Sequence, residues 1–150
     1  MEPLFERTTR GLVIAGNDQE TCWRLAHLFI GSEYKVTVTD SATTVVGELL
    51  GGLSEVVLLG SELEGRKAAD LVPLLKRCRP ALSIILVTGG AAPAVLRRLR
   101  QEGIFYHALQ PADDADAAEI REVVRCAFAS SAARQGARPL AAGNTEARHN

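Results

Sequence analysis

Cysteine is scarce in this sequence, and what there is forms no pattern. Cys22, Cys78 and Cys126 lie far apart and are odd in number, which excludes a disulfide framework and a zinc-ligand spacing. Each falls on an apolar helical stripe, where a buried thiol behaves as a small hydrophobe. An excess of charge of one sign is lacking as well. A net charge of −1 gives nothing to draw the chain onto nucleic acid or an anionic membrane, so neither is predicted as a partner. Long hydrophobic runs are missing: none approaches the length that crosses a bilayer. The opening Met1-Glu2-Pro3-Leu4-Phe5-Glu6-Arg7 carries acids and no apolar core, which argues against a signal peptide. The expected location is cytoplasmic. There is no internal repeat. No three of the histidines, cysteines and carboxylates fall into a ligand spacing, so neither a metal nor a cofactor is predicted.

What is present is an alternation of buried-type strands and amphipathic helices. At 150 residues, with 47% hydrophobic and 23% charged side chains, the chain suits one domain whose core needs no covalent staple. Gly11–Ala15 reads as a short apolar strand. Asn17 or Asp18 then caps a helix to about Ile30, with Cys22, Leu25, Ala26 and Phe29 at i, i+3, i+4 and i+7. Gly31 ends it. Lys35–Thr39 alternates polar and apolar, as a strand near a sheet edge does. Ser41 caps a second helix with the stripe Ala42, Val45, Val46 and Leu49.

The run Glu55–Gly60 reads as the central strand, too apolar to have either face in water. A loop through Gly65 leads to a third helix. Pro73 is tolerated only in a first turn, so this helix is predicted to begin near Ala69 or Asp70. Ser83–Thr88 is a further buried strand, followed by a helix carrying Ala92, Val95, Leu96 and Leu99. Phe105–Leu109 is the fifth strand. The fifth helix opens on Asp113, Asp114 and Asp116, whose charges suit a helix N-terminus. Apolar periodicity stops near residue 130. The division predicted is a flexible lead over 1–10, one doubly wound α/β domain over 11–129 and a disordered tail over 130–150.

Several marks recur in order along this pattern. They are Gly31-x-x-Tyr34-x-Val36 before strand two, Ser41-Ala42 opening helix two, Thr88 ending strand four, Gly103 before strand five and Pro111 after it. Together they resemble the receiver domain of bacterial two-component response regulators across the whole domain. The resemblance implies a flavodoxin-like parallel sheet of strand order 2-1-3-4-5 with helices on both faces.

It also implies an active site to look for. In receivers, two acidic residues after strand one and an aspartate ending strand three hold Mg²⁺ through hard oxygen ligands. The strand-three aspartate takes the phosphoryl group as a carboxylate nucleophile. A Ser or Thr ending strand four and a Lys ending strand five hold the phosphoryl oxygens. In this sequence the acidic pair falls on Gly16 and Asn17, the phosphoacceptor on Gly60, the hydroxyl on Thr88 and the lysine on Gln110. Four of the five positions have lost their chemistry. Recruiting Asp18, Ser61 or Glu62 would need a one-residue slip, and a slip turns strand side chains to the opposite face. One carboxylate beside a neutral Asn17 is also a poor ligand set for Mg²⁺, which gives up water reluctantly.

The remaining motifs are weaker. Thr88-Gly89-Gly90-Ala91 before a helix could cradle a phosphate but lacks the Walker spacing, and it reads better as a flexible turn. His107 falls where receivers carry the strand-five aromatic that reports the state of the site. It reads as a pH-sensitive or interface residue, or more simply as a half-exposed strand histidine. Ser61 has no nucleophile elbow around it. Arg97, Arg98 and Arg100 face Asp113, Asp114, Asp116, Glu119 and Glu122 across the fourth helix, fifth strand and fifth helix. In receivers this is the output and dimer face. The two charge sets either pair within one chain or pair across a two-fold axis.

The reading is a stand-alone pseudo-receiver, not an enzyme, that binds a signalling protein or a second copy of itself without phosphorylation. The alternative is a small-ligand or nucleotide-binding domain using the pocket vacated between Gly16, Gly60 and Thr88.

Overall fold

A computed structural model describes residues 10–144 of the chain, with side chains described through residue 132. Residues 1–9 and 145–150, which hold most of the predicted lead and the end of the predicted tail, lie outside the described residues. Strand β1 spans Arg10–Ala15, helix α1 Gln19–His27, β2 Tyr34–Thr39, α2 Ala42–Leu50 and β3 Val56–Leu59. Two two-residue strands follow, β4 at Glu62–Leu63 and β5 at Arg66–Lys67. Then come α3 at Ala68–Cys78, β6 at Ser83–Thr88, α4 at Pro93–Glu102, β7 at Tyr106–Leu109 and α5 at Asp114–Asn144.

The main sheet has the order β2-β1-β3-β6-β7, with every neighbouring pair parallel. This is the predicted 2-1-3-4-5 order once the short β4 and β5 are numbered. Side chains alternate between faces along each strand. Leu12, Ile14, Leu58 and Val87 point to the layer of α1 and α5. Val13, Leu59, Ile84 and Leu86 point to the layer of α2, α3 and α4. Because β3 is buried on both faces, all four of its residues are apolar. Each of its larger side chains contributes about 1.5–3 kcal/mol by leaving water. On the α5 side, Phe128 stacks on Tyr34 with ring centroids 4.5 Å apart, which fixes the helix against the β2 edge.

Four boundaries differ from the sequence expectation. Helix α1 stops at His27, and Leu28, Phe29 and Ile30 tighten into i→i−3 bonds instead of continuing to Ile30. Helix α3 starts at Ala68, so Pro73 lies inside the helix and beyond its first turn. That start is set by a tertiary bond, Ala68 N–H to the Ser61 carbonyl at 2.9 Å. The expected loop through Gly65 is a β-hairpin. Glu62 pairs with Lys67 and Leu63 with Arg66, around a two-residue turn of Glu64 (φ 52°) and Gly65 (φ 77°). Two successive positive φ values match the twist of a hairpin. Finally, α5 runs to Asn144, so residues 130–144 continue a helix where a disordered tail was predicted. Loss of apolar periodicity did not end it: the stretch is rich in alanine and arginine, whose intrinsic helix propensity is high.

Two glycines separate packing from space. A Cβ at Gly11 would stand 1.9 Å from the Leu53 carbonyl oxygen, whereas a Cβ at Gly60 meets nothing nearer than 3.6 Å. Gly11→Ala is therefore expected to destabilise by about 1–3 kcal/mol through overpacking. Gly60→Ala is expected to be neutral or stabilising by up to about 1 kcal/mol, by reducing the freedom of the unfolded chain. Urea unfolding of the two variants checks both signs, and equal effects would refute the geometry.

Candidate functional site

The C-terminal ends of β1, β3, β6 and β7 meet along one edge of the sheet, where open α/β sheets collect their ligands. Gly16 and Gly60 pack directly against each other there: a Cβ on Gly16 would lie 3.7 Å from the Gly60 Cα. With no side chain on either, a cavity of about 240 Å³ opens beside them, reaching Asn17, Cys22, Val87 and Gln110. The structure thus gathers four of the five sequence-predicted positions, Gly16, Asn17, Gly60 and Gln110, around one space.

Thr88 does not line that space. Its side chain is buried at 2% exposure, and its hydroxyl is 2.8 Å from His107 Nε2. The same oxygen accepts the Gly90 N–H at 3.0 Å, which ties the turn after β6 to the strand end. His107 is a half-buried strand histidine, and its ring is bonded to Thr88. Burial, and then the nearby charge of Arg100, hold its pKa below the ordinary value of 6.5.

Asn17 is engaged too. Its backbone N–H donates to the Glu62 carbonyl at 3.0 Å, and its Oδ1 accepts the Glu64 N–H at 2.8 Å. Glu64 then reaches across to α2, where its Oε1 accepts the Ala42 N–H at 2.7 Å. Asp18 is the N-cap of α1, accepting from Thr21 N–H at 3.4 Å and Thr21 Oγ1 at 2.8 Å. These bonds, the side-chain one first, hold the Asp18 carboxyl below its usual pKa. Among the described residues, no three or more His, Cys, Asp and Glu side chains gather at metal-binding distance. No described helix is long and apolar enough to cross a membrane.

On the face made by α4, β7 and α5, Arg97, Arg98 and Arg100 are exposed. Arg98 lies 3.9 Å from Asp70 of α3, and among the described residues no ion pair joins these arginines to α5. The α5 acids have other partners. Asp113 Oδ1 accepts the Asp116 N–H and Asp116 Oδ2 accepts the Ala112 N–H, each at 2.9 Å, so together they cap the helix. Glu119 accepts the Tyr106 hydroxyl, and Glu122 pairs with Arg125 one turn along. Exposed Val95, Tyr106 and Leu109 add apolar surface to the same elements.

Sequence reasoning missed the β4–β5 hairpin, the Glu64 cap and the Thr88–His107 bond. Gly65 was the available signal for the turn, but glutamate before it is an unusual choice for a positive φ. Because the folded state disfavours the His107 imidazolium, stability is fully present above the unfolded pKa near 6.5 and is lost as pH falls below it. Between about pH 7.5 and about pH 5.5, His107→Gln is expected to lose less stability than the parent in urea unfolding. Parallel profiles would refute the lowered His107 pKa.

No family model and no curated protein matches the chain. Solved structures do. It is similar to the CheY-like response regulator receiver domain protein of Methanospirillum hungatei JF-1, at 14% identity and a TM-score of 0.70, over 81% of this chain and 96% of that one. It is similar to the signal receiver domain of an HD domain-containing protein from Pseudomonas fluorescens Pf-5, at 18% identity and a TM-score of 0.74, over 83% and 98%. A pilus assembly-related protein from Burkholderia pseudomallei K96243 is similar at 23% identity and a TM-score of 0.62, over 81% and 90%. At these identities the likeness carries the fold. The chain folds as response-regulator receiver domains do, as a five-stranded parallel, flavodoxin-like sheet with helices on both faces.

Proposed function

We propose that the chain is a pseudo-receiver: a signalling module that works by protein contact, without phosphorylation and without enzymatic activity. The observation that carries this reading is the composition of the strand ends. Gly60 stands at the phosphoacceptor position with no side chain, against Gly16, where the resemblance calls for acid. Asn17 Oδ1 already accepts a hydrogen bond, Thr88 is bonded to His107, and Gln110 brings no charge. At the five positions themselves, a carboxylate nucleophile, a Mg²⁺ ligand set and a phosphate-binding cation are each without a residue to supply them.

The contact surface favoured is the α4–β7–α5 face. Among the described residues Arg97 and Arg100 have no acidic partner across it, and Val95 and Leu109 are exposed on the same elements. Such a face suits a partner, or a second copy, that brings carboxylates to the arginines. A second reading, a binding domain for a small ligand, is favoured by the cavity of about 240 Å³ at the strand ends.

Incubation with acetyl phosphate and Mg²⁺, followed by intact mass spectrometry, tests the principal reading. The expected spectrum shows the unmodified chain for both the parent and Gly60→Asp, since one restored carboxylate leaves the metal ligands and the lysine missing. A phosphoryl adduct on the parent would sink the proposal.

A further inference from the structure

The cavity between the ends of β1 and β3 has a chemistry opposite to that of a phosphate site. Its inner wall is apolar, built from Cys22, Leu25 and Val87. Two exposed carboxylates, Asp18 and Glu62, line it together with neutral Gln110, and no lysine or arginine does. An anion bound in such a fold would ordinarily use helix N-termini. Two of those nearest are already filled by the chain's own carboxylates: Asp18 caps α1, and Glu64 accepts the first N–H of α2. Thr88, the remaining hydroxyl of the site, is bonded to His107.

Both charged side chains that line the cavity are carboxylates. The Cys22 thiol is only 5% exposed, and its pKa is pushed up by burial first and then by the charges of Asp18 and Asp40. A second anion would meet the same repulsion. A cation would meet attraction at the mouth and apolar contact below. At about 240 Å³ the space lies under the lower bound, roughly 300 Å³, of pockets that hold drug-sized molecules. The ligand is therefore compact.

We infer that this cavity binds a small organic cation, an ammonium carrying one compact apolar group. The apolar group lies against Cys22, Leu25 and Val87, and the ammonium lies at the mouth between Asp18 and Glu62. The inference rests on the reading that phosphotransfer has been lost from these positions. It excludes nucleotides and other phosphates as occupants. It also gives the module an input that phosphorylation no longer provides.

Three probes of one shape and different charge test it on the full chain: benzylamine, benzyl alcohol and benzoate, titrated at low salt and followed by amide NMR. Benzylamine is expected to give saturable shifts at Asp18, Cys22, Gly60 and Val87. Benzyl alcohol should bind more weakly, and benzoate should give no saturable shift. Asp18→Asn keeps a capping side chain and Glu62→Gln keeps the shape. Each is expected to weaken benzylamine by about threefold to fivefold, the size of an exposed charge pair, and to leave benzyl alcohol unchanged. Gly60→Leu, whose Cβ has room and whose branches fill the cavity, should abolish binding of both. Absence of benzylamine binding, equal binding of benzoate, or binding that survives Gly60→Leu would each overturn the inference. A phosphoryl adduct would instead overturn the pseudo-receiver reading, so the two failures are distinguishable.

Discussion

The arrangement of the strand ends depends on a pair of hydrogen bonds made by Asn17. Through its N–H and its Oδ1 it grips both sides of the β4–β5 turn, at Glu62 and Glu64. The hairpin so held passes the constraint in two directions. Glu64 places a carboxylate on the first amide of α2, and Ser61 accepts the first amide of α3. Three loops and two helix starts are thus fixed by neutral amides and one capping carboxylate. Each such bond is worth about 0.5–1.5 kcal/mol net, so the set gives local order rather than bulk stability. The order matters because Asn17 lies where a receiver carries an acid. The donor is the backbone N–H and the acceptor a side-chain oxygen, so Asn17 joins the two sides of the turn without placing a charge there.

A second internal bond has a similar effect on the other half of the sheet. Thr88 and His107 join the ends of β6 and β7, and Gly90 completes the link to the following turn. The hydroxyl that could have met a phosphoryl oxygen is held inside the fold, in a buried setting that disfavours charge on the imidazole. With α1, α2 and the β6–α4 turn all tied by the chain's own groups, the strand ends hold little unsatisfied polarity. Among the described residues, Arg97 and Arg100 are left on the surface without an ion-pair partner, while Asp113 and Asp116 close the start of α5.

The sheet was legible because a parallel sheet covered on both faces requires continuous apolar strands, and Val56–Leu59 and Ser83–Thr88 carry that requirement openly. Helix stripes such as Cys22, Leu25 and Phe29 were legible for the same reason, burial at a fixed period. The features that escaped are set by tertiary contacts. Nothing local tells Glu64 to take a positive φ; its carboxylate is held by α2 and its N–H by Asn17. Pro73 sits inside α3 because Ser61, twelve residues earlier, decides where that helix begins. At the site, the identities of Gly16, Asn17, Gly60 and Gln110 were readable, and the absences they record were readable with them. The cavity was anticipated as room left by missing side chains. Its sign of charge was not, since that depends on Asp18 and Glu62 lining one volume that, among the described residues, no lysine or arginine lines.

The four neutral positions make physical sense only together. A receiver's acids, cation and lysine compensate one another, and removing a single member of a buried charged set strands the rest at a cost of about 3–5 kcal/mol. Losing only the lysine would leave carboxylates facing each other; losing only the central aspartate would leave a cation without a partner. With Gly16, Asn17, Gly60 and Gln110 in place, no charge is buried along this edge, and the acids that remain, Asp18 and Glu62, are exposed to water. An aspartate restored at position 60 would enter a field already negative at Cys22, with neither Mg²⁺ ligands nor a lysine to hold it ionised. The site is therefore stable against reversal by any one substitution. What the four neutral positions leave is an apolar inner wall with two exposed carboxylates beside it.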